Sequence, residues 1–106
     1  MVNNESLDRV FSALADPTRR RIVERLSRRS LTIGEIAKEF PISQPAISKH
    51  VRVLEESGLL QREIVGTVHY CSLSPIALKN AMRWVERQRR YWNQSLDRLE
   101  NVLRNT

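Results

Sequence analysis

The chain has 106 residues, which is one domain by length, and its core is small enough that dimerisation would help it. Its formal net charge is +6 and its pI is about 10.4, so a polyanion is a more natural partner than an acidic protein. A single cysteine excludes an internal disulfide framework. We see neither a secretory signal nor an apolar run of the ~20 residues that a membrane span needs, and therefore expect a cytoplasmic protein.

The positive charge is unevenly distributed along the chain. Residues 1–42 carry 8 basic and 6 acidic side chains, residues 43–74 carry 3 of each, and residues 75–106 carry 7 and 3. The excess therefore lies outside the central third. Any single arginine cluster is ordinarily a solvated surface.

Two helices are predicted at the start of the chain, over residues 5–15 and residues 16–27. Asp16 is a good N-cap, and the proline that follows it suits the first helical position. Three arginines at positions 19–21 lie near the N-terminus of the second helix, where cations oppose the helix dipole. Ion pairs with Asp16 or Glu24 would offset this unfavourable interaction with the dipole. A contact between the arginines and a phosphate group is the alternative explanation.

A helix-turn-helix is predicted over residues 32–57. Thr32 and Glu35 have the spacing of a capping box and open a short helix. Ser43 caps the next helix, and Gly58 ends it. Apolar residues recur at helical spacing in this second helix and predict its buried stripe: Ile47, Val51 and Leu54. Polar residues lie outside that stripe: Gln44, Ser48, Lys49 and Arg52.

A β-hairpin is predicted directly after the helix-turn-helix, over residues 60–73, with Gly66 supplying its turn. A hairpin in this place is a wing. His69 and Cys71 share a face of the second strand and form the one metal-like or redox-like pair. Because Leu73 lies on the same face, we favour a half-buried strand under a helix.

The last predicted helix covers residues 75–103, with Ser74 as its N-cap. It is about 43 Å long, more than a domain of this size can cover. Its apolar residues follow a heptad seam with one interruption, at Arg89. We therefore predict that the first and last helices form a homodimer interface. The predicted interface residues are Leu7, Phe11, Leu78, Met82, Val85, Trp92, Leu96 and Leu99.

Three segments resemble the ArsR/SmtB family of small dimeric winged-helix repressors of bacteria. They read DPTRRRIVERL, TIGEIAKEF and SQPAISKHVRVLEESGLL, and the resemblance covers about residues 5–103. It implies one mainly helical domain over residues 1–106, with a small β-hairpin as its wing. The segment RRYWNQSLDRLENVL is most similar to the autorepressor-type branch, whose members lack a metal site. Metal-sensing relatives use a Cys-x-Cys pair or histidines on the last helix, and this sequence has neither.

The resemblance implies that the chain binds double-stranded DNA at an inverted-repeat operator, and that it is found at the bacterial nucleoid. Gln44, Ser48 and Lys49 match positions that contact DNA in the family. Gln44 has the carboxamide that can pair with adenine, whereas Arg52 is better suited to phosphate. We predict these DNA-binding residues: Ser43, Gln44, Ser48, Lys49, Arg52, Arg62 and Thr67.

The sequence departs from the family at two further points. Pro45 replaces a hydroxyl residue, and Gly66-Thr67 stands at the wing tip where relatives carry Gly-Arg or Gly-Lys, so we expect weaker minor-groove readout.

A protein–protein interaction module built on a winged helix is the alternative function, favoured by the neutral charge of residues 43–74. No grouping of acid, base and nucleophile predicts an enzyme, and no ligand set predicts a metal or another cofactor. The effector, the operator and any redox role of Cys71 stay open.

Overall fold

The computed structural model describes residues 4–105. Within that range the chain forms five helices and a three-stranded sheet: α1 (Asn4–Leu14), α2 (Pro17–Leu26), β1 (Leu31–Thr32), α3 (Ile33–Lys38), α4 (Gln44–Glu56), β2 (Leu60–Val65), β3 (Val68–Leu73) and α5 (Pro75–Arg104). The sheet is antiparallel, in the order β1-β3-β2, with Leu60 opposite Leu73 and Val65 opposite Val68.

Most predicted helix boundaries are confirmed to within a residue because their capping residues act as expected. The Asp16 carboxylate accepts a hydrogen bond from the Arg19 amide at 3.0 Å, and Thr32 and Glu35 form both hydrogen bonds of the capping box. Gly58 ends α4 in the left-handed conformation, with φ of 87°.

Two details of the prediction are corrected. The Ser74 hydroxyl makes no capping hydrogen bond; its backbone amide donates instead to the Leu59 carbonyl at 2.8 Å. The strand β1 was not predicted, because two residues are too few to show a strand pattern. Leu31 and Thr32 pair with Cys71 and Tyr70 and extend the predicted hairpin to a three-stranded sheet.

The hydrophobic core lies between α1, α2, α3, α4 and the sheet. The predicted stripe of α4 is completely buried, and Ile22, Ile36, Leu59 and Cys71 are buried with it. Removing a large aliphatic side chain from such a core typically costs 2–5 kcal/mol. The core therefore holds α4 in one orientation and leaves its polar side chains outside.

The arginines at the start of α2 interact with the C-terminal end of α1 and not, as we expected, with acidic residues at Asp16 or Glu24. The Arg19 Nε donates to the Ala13 carbonyl at 2.7 Å, and the Arg20 guanidinium donates to the Leu14 carbonyl at 2.7 Å. These carbonyls end α1, where the helix dipole favours cations. These guanidinium groups therefore bind the carbonyls of α1 and not the predicted partners, Asp16 and Glu24.

The third arginine of this cluster, Arg21, lies over the Phe40 ring, with its guanidinium carbon 5.5 Å from the ring centroid. The cluster therefore contributes to the fold through α1 and through the segment that follows α3.

The helix α5 packs on α1 and leaves most of its length outside the core. Ala81 is its one buried residue among those described. The long axis of the molecule measures 64 Å, against 33 Å and 23 Å for the others. Among the described residues, we find no helix with the length and apolar character required to cross a membrane.

We expect Arg19→Met to lower the free energy of unfolding by about 1–3 kcal/mol, because it removes charge-assisted hydrogen bonds from the end of α1. Urea denaturation followed by circular dichroism measures this loss. The exposed Arg28 provides the control, and Arg28→Met should change the stability by less than ~0.5 kcal/mol. Equal losses in both variants would contradict the capping role.

Candidate nucleic-acid interface

The helix α4 presents its polar residues to solvent. The Ser43 hydroxyl accepts a hydrogen bond from the Ala46 amide at 3.3 Å and so caps the helix. Pro45 follows in the first turn, where no intrahelical partner is needed. Ser43, Gln44, Lys49 and Arg52 are exposed, and Ser48 is half-buried. Their side chains are therefore accessible to a partner.

A groove of about 530 Å³ lies between α4, the start of α3 and the hairpin. Its lining residues are Thr32, Ile33, Gly34, Gln44, Ser48, Arg52, Arg62, Thr67, Val68 and His69. Five of the seven predicted DNA-binding residues are among them. The groove thus brings together Gln44, Ser48 and Arg52 from the helix with Arg62 and Thr67 from the hairpin. The remaining two, Ser43 and Lys49, lie on α4 but do not line the groove.

Arg62 is held within the protein by partners on both sides. Its guanidinium donates to the Glu55 carboxylate of α4 at 3.1 Å, and it lies 3.1 Å from the His69 Nδ1 on β3. The Arg62 side chain is only 19% exposed, and its Nε is buried without a hydrogen-bond partner.

The three residues Glu55, Arg62 and His69 form a bridge, which we call the helix–wing bridge. It joins α4 to both strands of the hairpin. Because the Arg62 guanidinium is already engaged by Glu55 and His69, its chief effect is to fix the hairpin relative to α4. The sequence showed Arg62 as a cation but did not show Glu55 as its partner, since seven residues and a turn separate the two.

The hairpin tip is apolar except for Thr67. Gly66 adopts a positive φ of 64°, which the turn between β2 and β3 requires. Ile64, Val65 and Val68 are exposed around it. Residues 64–68, all of them described by the structure, include no cation, in agreement with the departure seen in the sequence.

His50 and Asp16 form a second contact between α4 and the rest of the domain. The His50 Nδ1 lies 3.3 Å from the Arg19 guanidinium and 3.9 Å from the Asp16 carboxylate. The hydrogen bond from the Arg19 amide lowers the pKa of Asp16 below its ordinary value. His50 is partly buried between α4 and the start of α2.

Cys71 lies in the core rather than in a site. Its side chain is completely buried, and burial raises the pKa of the thiol. His69 is drawn into the helix–wing bridge instead of pairing with it. Across residues 4–105, no cluster of three or more histidine, cysteine, aspartate or glutamate residues is placed to hold a metal ion.

A second surface is formed by the seam of α5 and by Phe11. Trp84 connects the two, since its ring centroid lies 5.6 Å from that of Phe11 and 6.0 Å from that of Trp92. Large apolar side chains along this surface are exposed: Met82, Val85, Trp92, Leu96, Leu99 and Leu103. Leu78 is half-buried, whereas Leu7 is buried in the chain's own core.

Residues 14–63 match a family model described as a helix-turn-helix domain. The chain is 38% identical over 96 residues to the HTH-type transcriptional regulator Rv2034 of Mycobacterium tuberculosis, covering 91% of this chain and 87% of that protein. It is 35% identical over 79 residues to the transcriptional repressor SdpR of Bacillus subtilis, covering 74% and 88%.

A solved structure has the same fold along nearly its whole length. The crystal structure of the ArsR family transcriptional regulator RHA00566 superposes with a TM-score of 0.80 at 36% identity, over 87% of this chain and 95% of that one. The superposed part is longer than the helix-turn-helix and the hairpin together, so the similarity extends beyond residues 32–73.

We expect Glu55→Gln to destabilise the domain by about 1–2 kcal/mol, because Arg62 would keep its charge in a half-buried position without a carboxylate. This is less than the 3–5 kcal/mol of a fully buried pair, since Glu55 is 39% exposed. Thermal and urea unfolding measure the loss. Glu56→Gln, at the exposed neighbouring position, is the control and should be nearly neutral. If both variants behaved alike, the bridge would not contribute to stability.

Proposed function

The chain belongs to the ArsR/SmtB family of winged helix-turn-helix transcriptional regulators, and on this basis we propose that it is a sequence-specific, double-stranded DNA-binding repressor that acts as a homodimer. One observation carries the proposal. The groove collects Gln44, Ser48 and Arg52 of α4 with Thr67 of the hairpin on one accessible surface. The similarity to proteins named as transcriptional regulators and repressors supports it.

In the proposed complex, the N-terminal part of α4 enters the major groove. Gln44 reads a base, because its carboxamide can donate to and accept from the edge of an adenine. Ser48 contacts either a base or a phosphate. Ser43, at the start of the helix, presents its backbone and hydroxyl toward the phosphates.

Lys49 and Arg52 contact phosphates and position α4 without reading sequence. Arg62 contributes in a different way from the one expected from its charge. Its guanidinium is engaged by Glu55 and His69, so it acts mainly by holding Thr67 and the hairpin beside α4. The wing, lacking a tip cation, reads the minor groove weakly.

Two copies pair through the first and last helices. The seam of α5 is apolar, exposed and too long for the chain's own core, and such a surface is typical of a protein–protein interface. Two-fold symmetry then predicts an inverted-repeat operator, with half-sites one helical turn, or about 10 bp, apart. Because Leu7 is buried in its own chain, the proposed contact depends chiefly on Phe11 and the α5 residues.

We place the protein in the metal-site-lacking branch of the family and in the bacterial cytoplasm, at the nucleoid. The segment between Thr32 and Phe40 contains no cysteine, and α5 contains no histidine, so neither metal-site pattern of the family can be built from these residues. No catalytic step, cofactor or effector is assigned to the chain.

The alternative, a protein-interaction module without specific DNA readout, is not favoured. The similar proteins are named as transcriptional regulators, and the groove residues have the chemistry of base and phosphate contacts. A salt titration separates the two, because binding to DNA weakens steeply with salt as counterions are released. Affinity for DNA fragments without salt dependence would support the alternative.

The operator is found by selecting bound fragments from the genome of the source organism. Against that operator, Gln44→Ala should weaken binding by about 1–3 kcal/mol and leave binding to random DNA nearly unchanged. Electrophoretic mobility shift or fluorescence anisotropy measures both. Gln61→Ala removes an exposed amide outside the groove and should leave both affinities unchanged. Equal weakening on operator and random DNA would show that Gln44 does not read a base.

Arg52→Ala should weaken operator and random DNA to a similar extent and reduce the slope of log K against log salt by about one. The reason is that a phosphate contact carries no sequence information but releases a counterion. A series of anisotropy titrations at increasing salt concentration gives the slope. A loss confined to the operator would instead make Arg52 a base-reading residue.

Leu96→Glu should convert the dimer to a monomer, raising the dimer dissociation constant by at least ~100-fold, because each copy would bury an unpaired charge in the seam. Leu96 is 60% exposed in the single chain, so the fold itself should tolerate the change. Sedimentation velocity measures the association. Asn101→Glu, on another face of α5, is the control and should remain dimeric. A dimeric Leu96→Glu variant would contradict the proposed interface.

A further inference from the structure

A row of cations runs along the face of α5 that points away from the seam. Lys79, Arg83, Arg87 and Arg90 are spaced at steps of four, four and three residues, which places them on one side of the helix. From the rise of 1.5 Å per residue, the row is about 16 Å long. At 100° per residue its centre lies about 150° around the helix from the apolar seam. We call this surface the α5 basic stripe.

The four cations of the stripe are exposed and have no partner of opposite charge. All four side chains are exposed, and within residues 4–105 none of them takes part in an ion pair or a side-chain hydrogen bond. Glu86, the acidic residue within this span, lies at the edge of the stripe, and its carboxylate is paired with Arg89, which is outside the stripe, at 3.3 Å. Four adjacent like charges repel one another, so the stripe weakens the isolated helix slightly and is suited to an anionic partner.

The stripe is separate from the groove described above. The groove is lined by residues before position 70, and none of them belongs to α5. Four residues of α5 pack against the core, and at 100° per residue their centre lies about 155° around the helix from the centre of the stripe: Ala77, Leu78, Ala81 and Trp84. A duplex seated in the groove and a ligand on the stripe therefore contact different elements of the chain.

We propose that the α5 basic stripe binds the phosphate backbone of a second DNA duplex, without sequence specificity, so that one molecule of the regulator can hold two segments of DNA together. This rests on the proposed function, since it assumes a first duplex at α4. Double-stranded DNA carries one charge per about 1.7 Å of axis, or roughly ten charges along the 16 Å of the stripe. A duplex lying along the stripe therefore presents more phosphate charges than the four cations can neutralise.

The charge distribution favours DNA over an acidic protein as the ligand of the stripe. Residues 43–74, which contain α4 and the hairpin, carry no net charge, whereas residues 75–106 carry an excess of four. Between Lys79 and Arg90 the exposed large apolar side chains of α5 are Met82 and Val85, and both lie in the seam; Ile76 is exposed one turn before Lys79. The stripe itself therefore offers little of the apolar surface that usually anchors a protein partner. What remains is a row of flexible cations, which suits phosphates spaced along a rod.

The experiment uses the intact 106-residue protein and two random-sequence duplexes of about 30 bp, three helical turns each. One is biotinylated and fixed on beads, and the other is fluorescent and free. We expect the wild type to capture the fluorescent duplex at about 50 mM salt, with a slope of log capture against log salt of about −4 from four phosphate contacts.

Two variants of equal net charge test the stripe. K79Q/R83Q/R87Q/R90Q should still bind the bead duplex but capture at least tenfold less of the fluorescent one. R9Q/R28Q/R98Q/R104Q removes four exposed cations elsewhere and should capture as the wild type does. Circular dichroism confirms that both are folded, since all eight positions are exposed and glutamine is a good helix former.

Three outcomes would overturn the inference. Equal losses in both variants would show an effect of net charge alone. Weaker binding of the bead duplex by the stripe variant, with no separate loss of capture, would place the stripe on the flank of the first duplex. Displacement of the fluorescent duplex by poly-L-glutamate as effectively as by unlabelled DNA, at equal charge concentration, would identify an acidic protein surface as the ligand.

Failure of this inference and failure of the proposed function give different results. If the stripe does not bind DNA, the stripe variant still selects the same genomic operator as the wild type. Adding Gln44→Ala to that variant still removes the selectivity. If instead the groove does not bind DNA, no operator is selected, and Arg52→Ala leaves binding of the bead duplex at the wild-type level.

Discussion

The complete burial of three residues of α4 is the constraint on which the rest of the site depends. Ile47, Val51 and Leu54 have no exposed surface, and they hold one side of the helix against the core. Because successive residues of a helix are 100° apart, fixing this side also fixes where Gln44, Ser48 and Arg52 point. If the helix could rotate about its axis, it would carry the same residues but would not hold them in the groove.

The hairpin is positioned by polar contacts rather than by the core. Its tip is exposed and apolar, and the helix–wing bridge of Glu55, Arg62 and His69 ties its base to α4. A half-buried guanidinium needs its partners because an uncompensated charge in that place is costly. Arg62, one of the predicted DNA-binding residues, is thereby also used inside the protein. The site thus separates three tasks: the core orients α4, the bridge orients the wing, and exposed side chains make the contacts.

The first and last helices leave an apolar surface uncovered in the single folded chain. The α5 helix buries Ala81 and leaves its seam uncovered, and Trp84 connects that seam with Phe11 of α1. The seam and the basic stripe lie on different sides of the same helix. Pairing two copies through the seam would cover apolar surface without covering the cations, so association and attraction to polyanions are compatible.

The sequence by itself determined the order of helices, the caps that begin them and the face of α4 that is buried. These depend on local spacing and on residues with strong backbone preferences, such as Asp16-Pro17, Thr32 with Glu35, and Gly58. The long seam of α5 was also visible, because a heptad pattern over many turns needs no tertiary information. Family membership rested on the same local segments.

Only the tertiary structure decided which charges are free. Arg19 and Arg20 were expected to form ion pairs with Asp16 or Glu24 and instead cap the carbonyls of α1. Arg62 was predicted from its charge to bind DNA, and packing also places its guanidinium against Glu55 and His69. The strand β1 and the opposition of Leu31 to Cys71 also depend on residues about forty positions apart. Local sequence patterns show that a side chain is charged, but its partner is set by packing between distant elements, where desolvation makes pairing necessary.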